Sequence, residues 1–180
     1  MDFLNVENKN FIISGISNKK SVAYAVATIL KAKGAKLTLL VQSQDHIERV
    51  EKLFPDEKIL ICNVQNKESI KNIKIYLESK GELYSGFLHS IAFANYLNAP
   101  KNFLDTSLED FQEAQEISQF SFIELSNAFK NSFTKNASLV TISISNTKAT
   151  SYGYMGPIKA GLEAIIPFMA KGFSEFSNIR

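Results

Sequence analysis

Apolar and polar positions follow two rhythms that alternate along the chain. Short, near-continuous apolar runs fall at Phe11–Gly15 (FIISG), Lys36–Val41 (KLTLLV), Lys58–Cys62 (KILIC), Gly86–Ile91 (GFLHSI) and Ser138–Ile144 (SLVTISI). The first four read as strands buried on both faces, which is the pattern of a parallel sheet. Between them lie Ser21–Gly34, Gln44–Phe54 and Asn66–Gly81, whose apolar residues recur at helical spacing. Ser21 is placed to cap the first helix, and Gly34 and Gly81 to end the first and third. The longest helical stretch, Ser107–Phe133, opens with the capping-box pattern Ser107-x-x-Asp110. A last helix is expected to follow Pro157 and run to about Phe176.

Strand–helix alternation repeated this often predicts an α/β fold in one domain over 1–180: a doubly wound, Rossmann-like parallel sheet with helices on both faces. Such sheets bind ligands beyond the carboxyl ends of their strands. The places to look therefore follow Gly15, Val41, Cys62, Ile91 and Ile144.

Composition narrows the function classes. Apolar residues make up 45% and charged residues 21%, as in an ordinary globular chain, and the net charge of +2 gives no footprint for nucleic acid. No apolar run approaches the roughly 20 residues needed to cross a bilayer, and no signal-peptide pattern opens the chain. Cys62 is the only cysteine, so no internal disulfide forms, which fits a reducing, cytoplasmic setting. Two distant histidines and one cysteine give no zinc site, and no G-x-S-x-G elbow supports a serine hydrolase.

After the first strand, SGISNKKSVAYAVA brings Gly15 to the sheet rim and Ser21 to a helix N-terminus, where N–H groups and the helix dipole favour phosphate. With one glycine, the loop lacks the G-x-G-x-x-G fingerprint. After the second strand stands Gln42, where dinucleotide folds carry an acidic residue for a ribose 2′-hydroxyl or an arginine for a 2′-phosphate. Asn63 after the third strand is a candidate for an adenine edge and equally a turn asparagine. His89, ending a buried run, is expected to be a neutral core residue, and His46 to lie on the surface.

SYGYMGPIKAGLEA (Ser151–Ala164) sets Tyr152 seven positions before Lys159. On an ideal helix that is nearly two turns, about 10 Å along one face. A nearby ammonium lowers a phenol's pKa from its ordinary value of ~10, and three ammonium donors can hold ribose hydroxyls. Pro157 belongs to a first helical turn, so the regular helix is expected to start near Gly156 and leave Tyr152 in a lead-in turn.

Taken together, these segments resemble the enoyl-acyl-carrier-protein reductases of the short-chain dehydrogenase/reductase superfamily, the bacterial fatty-acid synthesis type. GISNKKSVAYAVA is similar to that family's G-x5-S-[IV]-A loop, HSIAFA to its fourth-strand segment, EISQFSFIELSNAF to its long helix and YGYMGPIKAGLEA to its Y-x6-K signature. Met155 stands where the commoner Y-x3-K spacing needs a tyrosine. The resemblance implies NADH-dependent reduction of a 2-enoyl thioester carried on acyl carrier protein, with NADPH less favoured because Gln42 is uncharged. It implies that Gly15, Ser21 and Val22 meet the pyrophosphate region, Gln42 the adenosine ribose, Asn63 and Val64 adenine, and Ile91 the cofactor. Ala94 would lie near the thioester, Lys159 would hold the nicotinamide ribose, and Tyr152 would stabilise the substrate enolate. It also implies a homotetramer joined through the two long helices.

Two departures accompany the resemblance. Ile144 occupies the position where the family has another tyrosine just after the fifth strand, the following Ser145–Thr150 is rich in Ser, Thr and Asn, and Tyr154 stands as an alternative substitute for that tyrosine. Family members also continue past the position of Arg180 into a sixth strand, a nicotinamide-contacting loop, a substrate-covering helix and a seventh strand. The chain is therefore expected to be C-terminally truncated, an incomplete domain lacking the final strands and leaving the fifth with an open edge. Two other readings stand beside the leading one: a reductase of ketones or aldehydes, and a truncated nucleotide-binding or association domain without activity.

Overall fold

The computed structural model describes residues 4–95, 102–144 and 150–180. Among these residues five parallel strands, β1 (Asn10–Ser14), β2 (Lys36–Val41), β3 (Lys58–Ile61), β4 (Tyr84–His89) and β5 (Phe133–Thr141), form one sheet in the order β3-β2-β1-β4-β5. The order reverses between β1 and β4, which is the switch point of a doubly wound fold. Among the described residues six α-helices connect and flank them: α1 (Val22–Ala32), α2 (Gln44–Glu51), α3 (Lys67–Lys80), α4 (Leu108–Gln115), α5 (Ser121–Phe129) and α6 (Met155–Ser174). The expected α/β class and helices on both faces are what the structure has.

Successive strand residues point to opposite faces, and the core divides accordingly. Ile13, Leu37 and Leu39 pack with Ala23 and Ala27 of α1 and Val50 of α2. Ile12, Leu40 and Phe87 pack on the other face with α3 (Ile73, Leu77), α5 (Phe122, Phe129) and Leu162 of α6. Ala23 and Ala27 are fully buried, so their small side chains let α1 press close to the sheet. Caps act where local pattern predicts them: the Ser21 side chain accepts from the Tyr24 N–H, that of Ser107 from Asp110, and Gly81 closes α3 in the left-handed region at φ +63°.

Three features differ from expectation. The stretch read as one helix over Ser107–Phe133 is interrupted by a π-helical turn at Glu116–Phe120, then stops at Phe129. β5 consequently begins at Phe133 rather than Ser138 and ends at Thr141. The β5 edge is not open along its whole length, because residues 178–180 lie beside it in parallel. The Asn178 N–H donates to the Lys135 carbonyl (2.8 Å), the Arg180 N–H to Ala137 (3.1 Å) and the Leu139 N–H to Arg180 (2.6 Å), while Ile179 is buried in the core. Unpaired strand-edge groups find partners there, as an exposed edge demands.

Candidate active site

A crevice of about 440 Å³ opens at the carboxyl rim of the sheet, over the switch point. Its floor and walls include Gly15 after β1, Gln42 after β2, Asn63 and Val64 after β3, and Ile91 after β4, with Ser21 at the head of α1. Residues from four separate strand ends thus converge as expected. Gly15 makes the crevice possible: at φ +91°, a Cβ there would sit 2.0 Å from the Ser90 carbonyl oxygen. Only glycine allows β1 to turn away while touching the β4 exit.

The turn from Gly15 to Ser21 is shaped by Asn18, which sequence reasoning passed over. Its side-chain oxygen accepts from the Lys20 N–H (2.8 Å), and its carbonyl accepts from the Ser21 hydroxyl (2.8 Å) and N–H (3.1 Å). A side-chain turn replaces the missing glycines, and an Asx pattern ahead of a capping serine is the signal that reveals it. Val22 is half-exposed and lies outside the crevice lining.

His46 is a correction. Expected on the surface, it is partly buried and lines the crevice, with Nδ1 2.9 Å from the Ser43 hydroxyl. The Asn63 side-chain oxygen accepts from the Gln65 N–H (3.1 Å), so this residue is at least the turn asparagine of one reading, with its amide nitrogen left for a ligand edge. Cys62 also lines the floor, but burial pushes its thiol up to about 12, aided by the charge of Glu124, and this holds it as an unreactive thiol.

The other end is built by long-range hydrogen bonds. Lys159, in the second turn of α6, is 3% exposed and points inward. Its ammonium donates to the carbonyls of Ile91 (3.2 Å) and Ile142 (2.9 Å), tying together the chain beyond β4 and β5. Desolvation lowers its pKa to about 8. Two of the three donors are spent on carbonyls, so while these bonds last the ammonium gives at most one to a ribose hydroxyl rather than holding both.

Tyr152 and Tyr154 flank Gly153, whose φ of +56° turns the chain sharply before α6 begins at Met155. Pro157 falls in the first helical turn, and Tyr152 in the lead-in turn, as anticipated. Tyr152 is 48% exposed and Tyr154 only 2%. The Tyr154 hydroxyl accepts the Asn95 N–H at 2.8 Å, and its ring packs with Met155, Ile158 and Ala114. Ala94 is half-buried against this same cluster, away from the crevice lining. Ile144 packs there as well, and residues 145–149 of the Ser/Thr/Asn-rich segment lie outside the described residues.

Ser118, in the π-helical turn, holds Phe93 twice: its hydroxyl accepts from the Phe93 N–H (2.8 Å) and donates to the Phe93 carbonyl (3.1 Å). π-turns of this kind often mark functional sites. His89 is the neutral core residue expected of it. The Ser121 hydroxyl donates to the Ile117 carbonyl (2.6 Å) and therefore accepts from His89 Nε2–H (2.8 Å), leaving Nδ1 to accept from Thr141 (3.1 Å). Desolvation, with the nearby Lys159 charge, lowers its pKa to about 3.

The crevice fits a dinucleotide on its own terms: a backbone cradle that a Cβ would fill, polar side chains on the β2 and β3 exits, and, after β4, Ile91 with its carbonyl held from behind by a buried ammonium. Residues 15–180 match the profile of the Enoyl-(Acyl carrier protein) reductase family. A Nostoc NADH-type enoyl-acyl-carrier-protein reductase is 36% identical over 98% of this chain and 71% of its own length. A Staphylococcus aureus NADPH-type reductase is 33% identical over 93% of this chain and 68% of its own. The crystal structure of the NADH-type reductase of Aquifex aeolicus superposes with a TM-score of 0.90 at 29% identity, covering 97% of this chain and 71% of that one.

Proposed function

Because the chain belongs to the enoyl-acyl-carrier-protein reductase family, we propose that it reduces the carbon–carbon double bond of 2-enoyl-acyl-carrier-protein thioesters in fatty-acid biosynthesis, with NADH as reductant. The observation that carries this reading is a crevice in which Gly15 leaves no room for a side chain and whose Ile91 is held through its carbonyl by the buried Lys159 ammonium. When bound, the nicotinamide supplies the reducing equivalents. Gly15, Ser21 and Val22 hold the pyrophosphate region, Gln42 the adenosine ribose, Asn63 and Val64 adenine, and Ile91 the nicotinamide end. Lys159 steadies the nicotinamide ribose. Tyr152 hydrogen-bonds the thioester oxygen, where negative charge develops, and Ala94 borders the thioester.

The uncharged Gln42 favours NADH, although the relatives include both cofactor types. Among the described residues no helix is long and apolar enough to cross a membrane, which is compatible with a cytoplasmic enzyme. Exposed Phe120 on the π-turn and Ile166 and Phe168 on α6 support self-association, as a homotetramer, through the long helices. NADH oxidation in the presence of crotonyl-thioester tests the reading: Tyr152→Phe and Lys159→Met each abolish most turnover, and normal turnover in both refutes the assigned roles. Turnover of a ketone or aldehyde panel instead, or NADH binding without turnover, selects one of the two other readings. A monomer in light scattering counts against the tetramer.

A further inference from the structure

The segment that follows β4 is anchored by a backbone bond at Ser90 and then fastened at alternating residues, Ile91, Phe93 and Asn95, by side chains from three different elements. Ser90 donates its N–H to the Ser14 carbonyl (3.3 Å) at the β1 exit. The Ile91 carbonyl accepts from Lys159 of α6, and Phe93 is held through both backbone groups by Ser118 of the π-turn. The last fastening is Tyr154, whose hydroxyl takes the Asn95 N–H at 2.8 Å. Asn95 extends the chain of bonds: its side-chain amide donates to Asp110 (3.1 Å), which also accepts the Ser107 hydroxyl at the head of α4 (2.8 Å). Ala94 is thus bracketed between two clamped neighbours, and the second clamp is a residue separated from Tyr152 only by Gly153.

We infer that Tyr154 is a positioning residue that uses one buried phenol to fix two things together: the lead-in turn that carries Tyr152 and the segment after β4 that carries Ala94. This deepens the reading under Proposed function and rests on it for the roles of Tyr152 and Ala94. The physical basis is an asymmetry across Gly153. The left-handed glycine lets Tyr152 remain half-exposed while Tyr154 is driven into an apolar cluster of Ala114, Met155 and Ile158, with the Phe111 ring 6.4 Å away. In that apolar setting a phenol hydroxyl needs a partner, and the Asn95 N–H supplies it. Loss of the hydroxyl leaves the ring packed but releases Asn95, so the two parts of the substrate end move independently. The β1–β3 side of the crevice touches neither residue and is unaffected.

Tyr154→Phe is the test. The KM for crotonyl-thioester rises about tenfold, on the scale of one lost hydrogen bond, while the Kd for NADH stays within about twofold. Amide hydrogen exchange at Asn95 accelerates by about the same tenfold factor. A role confined to stability would lower Tm without this split between substrate and cofactor. Asn95→Ala keeps the amide donor and loses the bond to Asp110, so it retains a near-normal KM. Unchanged KM and unchanged Asn95 exchange in Tyr154→Phe overturn the inference, as does a KM rise in Asn95→Ala alone. Should the unaltered protein not turn over enoyl thioesters, the proposed activity fails, and the Asn95 exchange rates still decide whether Tyr154 is the clamp.

Discussion

At the β1–β3 end the shape of the crevice is set by local backbone: Gly15 passes so close to Ser90 that a methyl group would overlap its carbonyl, and the Asn18 turn is closed by bonds to residues two and three positions away. At the β4–β5 end the segment after β4 is held by side chains that come from far along the chain. Lys159 reaches Ile91 across 68 positions and Tyr154 reaches Asn95 across 59. The first kind of construction tolerates almost no substitution at a few points. The second spreads its strength over several bonds, each worth about 1 kcal/mol net, and can be loosened by degrees. A dinucleotide has a fixed shape that suits a rigid cradle, whereas an end built from separable clamps can lose hold of one group while keeping another.

The sharpest way to break this contrast is Gly15→Ala. A non-glycine residue at this φ costs about 1–3 kcal/mol before the overlap with Ser90 is relieved by moving β4. The expected outcome is a Tm lower by about 4–8 °C and no detectable heat of NADH binding in calorimetric titration. Wild-type affinity in this variant would mean that the cradle is not set by backbone contact. Lys159→Met probes the other end. Turnover on crotonyl-thioester falls about 100-fold, as for the loss of a group that positions the cofactor, while Tm falls by no more than a few degrees, because removing a poorly solvated cation offsets the two carbonyl bonds lost. A Tm loss as large as that of Gly15→Ala would erase the distinction between the two ends.

The same contrast explains what could be read from the chain. Four strands and their helices were legible because burial on both faces and the caps at Ser21, Ser107 and Gly81 are local signals. Gly15, Gln42, Asn63 and Ile91 were placed at one rim by topology, since a parallel sheet must bring its strand ends together, and the family resemblance added Val64. What escaped is set by partners remote in sequence. Nothing adjacent to Glu116–Phe120 announces a π-turn; it places Ser118 against Phe93, 25 positions away. Tyr152 and Tyr154 look alike in the sequence, and only the φ of Gly153 together with the Asn95 amide separates the exposed phenol from the buried one. His46 reads as a surface residue of its helix, whereas its ring bonds Ser43, three residues earlier, and lines the crevice.

His89 sharpens the account of the side-chain end through pH. The folded protein holds it neutral down to about pH 3, whereas an unfolded chain protonates it near its ordinary value of 6.5. Between those values the unfolded state binds the extra proton, so stability is full above pH 6.5 and declines on acidification toward pH 3. Comparison of wild type with His89→Gln isolates the group: the wild-type advantage in chemical denaturation shrinks by about 1 kcal/mol for each pH unit below 6, and the imidazole shows no NMR titration between pH 5 and 8. A histidine that titrates near 6.5 would mean that the Ser121–His89–Thr141 chain opens to water.

Ser118→Ala should have the smallest effect, and it distinguishes a clamp from a wall. The variant deletes both bonds to Phe93, but Phe93 is exposed enough for water to replace them in part. The net cost is therefore about 1 kcal/mol, a Tm fall of about 2–4 °C. If the substrate end is assembled from independent clamps, amide exchange quickens at Phe93 while Asn95, still held by Tyr154, keeps its protection. If the segment after β4 instead behaves as one rigid wall like the Gly15 turn, both amides open together or neither does. The exchange pattern at these two residues, more than the stability loss, therefore decides whether the two ends of the crevice differ in kind.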